Sequence, residues 1–171
     1  MKKLVLVING SGGVGKDTLC DFAARHFRVK NVSSITPVKE LAARCGWQGE
    51  KTDRARKFLS DLKALLIEYN DYPTAWALGE YRSFLEGEEE IMFLHVREGA
   101  EITKFVSATN YTAKTLLVRR PLAHAGAYGN ASDDGVEDYT YDYVYDNVRP
   151  LDEAEDDFVA FLTSIWEAVT E

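Results

Sequence analysis

The chain has 171 residues and a formal net charge of -8, with 46% hydrophobic and 28% charged residues. This balance is typical of globular proteins, and the length is suited to one domain over residues 1–171. Because duplex nucleic acid is bound by a surplus of Lys and Arg, we expect no nucleic-acid partner for this acidic chain. No run of about 18 apolar residues occurs, so we also expect no membrane partner and a cytoplasmic location.

Short apolar segments alternate with segments of helical spacing along the chain. The predicted strands lie at 4–8, 29–35, 91–96, 115–118 and 141–145. The predicted helices lie at about 19–27, 36–45, 53–69, 73–85, 102–106 and 151–169. Strands that alternate with helices indicate an α/β fold with a mostly parallel sheet, in which ligands bind beyond the carboxyl ends of the strands.

Two of the predicted helices carry distinct local signals. In the helix over 36–45, Thr36 is predicted to cap the first turn with its hydroxyl, and Pro37 lies in that turn. The helix over 53–69 is predicted from an apolar stripe at helical spacing. The residues of the stripe are Phe58, Leu62, Leu65, Leu66 and Tyr69.

The segment over 10–18 has the composition of a phosphate-binding loop between a predicted strand and a predicted helix. Its residues are Gly10-Ser11-Gly12-Gly13-Val14-Gly15-Lys16-Asp17-Thr18, with the spacing Gly-x4-Gly-Lys. Glycines allow the positive φ angles that direct successive backbone N–H groups at a phosphate, and the helix N-terminus adds partial positive charge. Lys16 is predicted to reach the β- and γ-phosphates of ATP and to act in catalysis. The alternative is a plain glycine turn between strand and helix.

The residue after the lysine departs from the usual phosphate loop, where Ser or Thr ligates Mg²⁺. Here the residue is Asp17, and Thr18 follows it. The Lys-x-Thr arrangement resembles that of adenylate kinases, which read Gly-Lys-Gly-Thr and hold magnesium largely through water. Asp17 either holds such a Mg²⁺-bound water, lies near the acceptor, or only caps the first helical turn.

The Gly-Lys-Asp-Thr form resembles the deoxynucleoside monophosphate kinase group of P-loop kinases, to which phosphomevalonate kinase is related. Residues 36–42 are similar to the family's Pro-x-Lys-Glu-x-Ala helix start, and residues 93–98 to its third strand, which ends in Asp-Val-Arg. Residues 141–147 are similar to its last strand, which precedes the terminal helix. These segments occur in the family's order and cover most of the chain.

The resemblance implies a three-layer P-loop NTPase fold, with a five-stranded parallel sheet of order 2-3-1-4-5 and helices on both faces. It implies a helical acceptor-binding region over 36–88 and a lid over 120–138. ATP and Mg²⁺ are the expected cofactors. The expected reaction is phosphate transfer to a small phosphorylated acceptor, most of all a (deoxy)nucleoside monophosphate, by a monomer or homodimer. The alternatives are a kinase of a non-nucleotide metabolite, a switch NTPase and a non-catalytic nucleotide-binding protein.

Basic side chains outside the loop are the candidates for binding the acceptor phosphate, which guanidinium groups suit best. Arg97, at the end of the third strand, is predicted to bind the acceptor and act in catalysis, unless it pairs with Glu98 or Glu101. Lys39 and Arg56 correspond to basic residues of the family and are predicted to bind the acceptor, unless they are solvated surface residues.

Further candidates follow the predicted strands. Arg119 and Arg120 are predicted to close over the transferring phosphate with the lid, unless they form a solvated basic pair. Asn147 lies in the loop that borders the adenine in related kinases. His95 stands where the family's third strand has Asp, and Mg²⁺ prefers oxygen ligands. His95 is therefore either an acceptor-site residue or a structural one, and Asp17, Glu98 or Glu101 replaces the family acid unless the acceptor differs or catalysis is weak.

Overall fold

The computed structural model describes residues 2–121 and 135–169. Its main elements are β1 (Leu4–Asn9), α1 (Lys16–Ala24), β2 (Val29–Ser33), α2 (Thr36–Arg44), α3 (Asp53–Asn70), α4 (Tyr72–Glu86), β3 (Ile91–His95), α5 (Gly99–Ala108), β4 (Lys114–Arg119), β5 (Tyr143–Asp146) and α6 (Leu151–Val169). A 3₁₀ turn at Val136–Asp138 precedes β5. Among these residues, no helix combines the length and the apolarity needed to cross a membrane.

The strands form one parallel sheet in the order β2-β3-β1-β4-β5, which confirms the predicted order. β1 lies at the centre and pairs with β3 and β4, so that Ile8 is opposite His95 and Asn9 is opposite Leu117. The chain leaves β1 toward one edge of the sheet and leaves β3 toward the other. A crevice therefore opens beyond the carboxyl ends of β1 and β3, where ligands of open α/β sheets bind.

The two faces of the sheet are covered by different helices. Leu4, Leu6 and Ile8 pack in a buried cluster with residues of α1 and α6, whereas Val5 and Val7 pack with residues of α4 and α5. Side chains alternate between the faces of a strand, so both sets are buried. This explains why β1 is a continuous apolar run, as expected of a parallel strand covered on both sides.

The predicted cap of α2 was wrong. The helix begins at Thr36, but Ile35 occupies the capping position and no side chain bonds the first turn. Thr36 therefore lies inside the first turn, where its hydroxyl cannot cap. Pro37 lies in that turn as predicted and is buried. In α3, by contrast, the hydroxyl of Thr52 accepts a hydrogen bond of 3.2 Å from the backbone N–H of Ala55.

The apolar side chains of α3 are covered unevenly. Leu62 and Leu66 are half-buried, while Phe58, Leu65 and Tyr69 are exposed. The spacing correctly predicted the helix, but spacing alone does not show which apolar side chains are covered by neighbouring elements.

Phe158 tests how strongly α6 is packed against the sheet. Its ring is fully buried and lies 4.9 Å from that of Tyr145, centroid to centroid. We expect Phe158→Ala to lower the free energy of unfolding by about 3–5 kcal/mol, measured by urea denaturation, because it leaves a cavity. Leu151→Ala is the control, since Leu151 is 73% exposed on the same helix, and it should change stability by less than about 0.5 kcal/mol. Equal effects of the two variants would contradict this packing.

Candidate functional site

The glycine-rich loop follows β1 directly and requires glycine at defined positions. Gly10, Gly13 and Gly15 have φ angles of 155°, 79° and 91°. A Cβ atom on Gly10 would lie 2.5 Å from the carbonyl oxygen of Val118, and one on Gly15 would lie 2.8 Å from Nδ2 of Asn147. Backbone in such conformations forms the concave row of N–H groups that binds phosphate. The local geometry is that of an anion-binding loop at a helix N-terminus.

Lys16 is the first residue of α1 and folds back over this loop. Its Nζ donates a hydrogen bond to the carbonyl oxygen of Gly10 and lies 3.4 Å from that of Ser11. The ammonium group is therefore held at the loop itself, where its charge is available to a bound phosphate.

Asn9 organises the start of the loop, and the sequence analysis did not identify it. Its Nδ2 donates to the carbonyl oxygen of Arg97 and to the hydroxyl of Tyr141, each at 2.9 Å. Its Oδ1 accepts from the backbone N–H of Gly10, also at 2.9 Å. The amide is buried, and it joins the ends of β1 and β3 to the segment before β5. The available signal was a polar residue at the end of an apolar strand, directly before the first glycine.

Tyr141 extends this network to the end of the predicted lid. Its hydroxyl donates to the carbonyl oxygen of Val136 at 2.7 Å, and Val136 is buried. Burial raises the pKa of Tyr141, so the hydroxyl keeps the proton that it donates. Most of the predicted lid, residues 122–134, lies outside the described residues. Its described end is thus tied to the phosphate loop through Tyr141 and Asn9.

Asn147 and Arg119 lie together at the carboxyl ends of β4 and β5. Nδ2 of Asn147 donates to the carbonyl oxygen of Val14 at 2.9 Å, which places Asn147 against the phosphate loop. The guanidinium of Arg119 donates to both carboxylate oxygens of Asp146, at 2.8 and 3.1 Å, and these bonds raise the pKa of Arg119. Arg120 follows β4 and is exposed.

His95 packs between the sheet and α1. It shares a strand face with Ile91 and Phe93, so its ring points toward α1 rather than toward α4 and α5. Its Nε2 lies 2.8 Å from Oδ1 of Asn31 and 3.8 Å from Sγ of Cys20. Burial lowers the pKa of His95, while the charge of Asp17 opposes this shift. His95 is therefore a neutral imidazole whose Nε2 is engaged by the Asn31 carbonyl.

A half-buried lysine binds both carboxylates that were candidate partners of Arg97. Nζ of Lys63, on α3, lies 2.6 Å from Glu101 and 3.2 Å from Glu98, and Glu101 is buried. The side chain of Arg97 is exposed, and its backbone carbonyl is the group bonded to Asn9. Lys63 was missed by the sequence analysis, because a lysine on an apolar helix carries no signal of a buried partner.

Lys39 and Arg56 are exposed on α2 and α3, on helices separate from the phosphate loop. A small cavity lies between β3, α4 and α5. Apolar residues of β3, α4 and α5 form most of its wall, and Ser34, Thr74 and Glu101 add polar groups. The cavity has room for about one water molecule, far less than the roughly 300–1,000 Å³ of common ligand pockets.

The first turn of α1 offers oxygen atoms that suit Mg²⁺. Asp17 and Thr18 are exposed beside Lys16, and Mg²⁺ is usually held by one or two carboxylates, phosphate oxygens and several waters. Within residues 2–121 and 135–169, no group of three or more His, Cys, Asp or Glu side chains is placed to hold a metal. The residues therefore fit a magnesium ion bound mainly through phosphate and water.

No protein-family model and no curated protein sequence matches this chain. Solved structures do match its fold. A protein from Chloroflexus aurantiacus with a provisional kinase name superposes with a TM-score of 0.56 at 13% identity, over 99% of this chain and 98% of that one. Shikimate kinase from Aquifex aeolicus superposes with a TM-score of 0.52 at 10% identity, over 98% and 100%. At these identities the shared property is the fold.

Asn9→Asp tests the amide network. The substitution replaces the Nδ2 donor by a carboxylate oxygen that faces the Arg97 carbonyl, so a buried donor is lost and two acceptors meet. We expect the free energy of unfolding to fall by about 1–3 kcal/mol in urea denaturation. Asn110→Asp is the matched control, because Asn110 is exposed, and it should have little effect. An Asn9→Asp protein as stable as wild type would contradict the network.

His95→Gln tests the half-buried imidazole. Because the pKa of His95 is lowered in the folded chain, the unfolded chain binds more protons in mild acid. The stability contributed by the neutral ring is present above the ordinary pKa of 6.5 and is lost as the pH falls below it. Between about pH 7.5 and about pH 5.5, wild type should lose more unfolding free energy than His95→Gln. Parallel pH profiles of the two proteins would show that His95 does not titrate as inferred.

Proposed function

We propose that this protein is an ATP-dependent phosphotransferase that moves the γ-phosphate to a small phosphorylated acceptor, with a (deoxy)nucleoside monophosphate as the first acceptor class. The observation that carries the proposal is the phosphate loop over 10–18, which has three glycines at positive φ and Lys16 folded over it. The side-chain amides of Asn9 and Asn147 hydrogen-bond to the backbone on either side of this loop. The kinase fold of the two superposed structures supports it.

The loop residues divide the work of binding the donor. The backbone N–H groups of the loop and the N-terminus of α1 bind the phosphates, and Lys16 offsets the charge that develops during transfer. Asn147 borders the donor from the β5 side. When bound, Mg²⁺ would neutralise phosphate charge, and Asp17 and Thr18 are the residues that would hold its waters.

Basic residues around the crevice are proposed to position the acceptor. Arg97, at the carboxyl end of β3, binds the acceptor phosphate in line with the donor, with Lys39 and Arg56 contributing from α2 and α3. Arg120 is exposed after β4, and Arg119 would exchange Asp146 for a phosphate oxygen during transfer. An acceptor phosphate is already anionic, so positioning and charge neutralisation suffice without a general base.

A non-nucleotide acceptor is the second candidate, and one of the superposed structures favours it. The superposed shikimate kinase bears the name of a kinase with a non-nucleotide acceptor. The same loop and Lys16 would serve either acceptor.

ADP release in the presence of Mg²⁺ and ATP distinguishes these candidates. We expect stimulation by one or two members of a panel of ribo- and deoxyribonucleoside monophosphates, and a second panel of small hydroxylated and phosphorylated metabolites tests the alternative. Lys16→Ala should reduce the stimulated rate by about 100-fold or more, because it removes charge stabilisation at the transferring phosphate. Lys57→Ala, on the exposed side of α3, is the control and should retain the rate. ATP binding without stimulation by any acceptor would contradict the kinase function.

A further inference from the structure

The helix α3 carries more large apolar side chains than the described structure buries. It carries six large aliphatic or aromatic side chains over 58–67 and Tyr69 beyond them. Within α3, which the structure describes in full, Ala55 is the only buried residue. The apolar side of an amphipathic helix is usually covered. Part of the surface of α3 is therefore suited to a partner.

The exposed apolar residues of α3 form one narrow face, here called the α3 stripe: Phe58, Leu62, Leu65 and Tyr69. Their spacing of four, three and four residues keeps them on one side of the helix, as in the contact seam of a coiled coil. Phe58 is 37% exposed, Leu65 62% and Tyr69 85%, while Leu62 is half-buried. The described elements therefore leave most of Leu65 and Tyr69 uncovered.

The exposed area of the stripe is comparable to the largest apolar patch of a typical monomer, which is often functional. With Tyr72, which is 37% exposed at the start of α4, the side chains of Phe58, Leu65 and Tyr69 expose about 450 Å². Monomers rarely expose contiguous apolar patches beyond a few hundred Å². The area is more than half of the roughly 800 Å² that each partner contributes to a standard interface, before any flanking residue is counted.

The order of residues in the stripe makes it complementary to itself. When two copies of α3 lie antiparallel across a two-fold axis near residues 63–64, Phe58 faces Tyr69 of the second copy and Leu62 faces its Leu65. Aromatic rings then meet at both ends of the contact and leucines meet in the middle. Two-fold contacts require such self-matching, which a different partner would not.

The charge of α3 permits this pairing although the whole chain has a net charge of -8. The helix has four basic residues (Arg54, Arg56, Lys57 and Lys63) and three acidic ones (Asp53, Asp61 and Glu68). Two copies that meet through α3 therefore join at a nearly neutral segment. We propose that the α3 stripe is the interface of a homodimer in which the two α3 helices pack antiparallel.

The mass of the full chain in solution tests the dimer, by size-exclusion chromatography with light scattering over a range of concentrations. Wild type should approach twice the chain mass of 19.2 kDa as its concentration rises. Leu65→Lys with Tyr69→Lys should stay at the single-chain mass with an unchanged circular dichroism spectrum, since both side chains are exposed in one chain. Leu151→Lys is the control, an exposed leucine outside the stripe, and should dimerise like wild type. A monomeric wild type, or a dimer that survives the double substitution, overturns the proposal.

Disulfide cross-linking tests the antiparallel order in a Cys45→Ser background, because Cys45 is exposed and Cys20 is buried. The Phe58→Cys/Tyr69→Cys protein should form a covalent dimer under mild oxidation. Phe58→Cys alone should not, because the two Phe58 positions would lie roughly 16 Å apart along the helices, beyond the reach of a disulfide. Efficient cross-linking by Phe58→Cys alone would indicate parallel helices and overturn the proposed arrangement.

Discussion

The buried amide of Asn9 is the interaction on which the candidate site depends. One side chain holds the first glycine of the phosphate loop, the backbone after β3 and the hydroxyl of Tyr141. Both Nδ2 hydrogens are used, and removing either partner would leave a buried polar group without its bond. Because Tyr141 in turn binds the carbonyl of Val136, the loop, the crevice and the described end of the predicted lid form one connected unit.

The parallel sheet brings these groups to one edge. β1 lies between β3 and β4, so the phosphate loop has the end of β3 on one side and the β4–β5 end on the other. Asn147 reaches the carbonyl of Val14 although the two are 133 residues apart in the chain. The ion pair between Arg119 and Asp146 joins β4 to β5 at the same edge of the sheet. The proposed donor site is thus held by contacts between distant strands rather than by the loop alone.

The proposed acceptor region is held differently. α3 contributes Arg56 to the proposed site and the Lys63 pair beside the cavity, yet little of the helix is buried. In the proposed dimer, the antiparallel partner would cover the α3 stripe and restrict the motion of the same helix. Acceptor binding and pairing would then share one structural element.

The phosphate loop could be predicted from the sequence, because its glycines meet local backbone requirements. The alternation of strands and helices could also be predicted, because burial on both faces makes strands such as β1 continuously apolar. The sheet order followed from family resemblance rather than from periodicity. The roles of Asn9 and Tyr141, the ion pair of Lys63 with Glu101, the direction of the His95 ring and the exposure of the α3 stripe could be read only from the folded chain. Each of these depends on which distant residues meet, and neither residue type nor spacing carries that information.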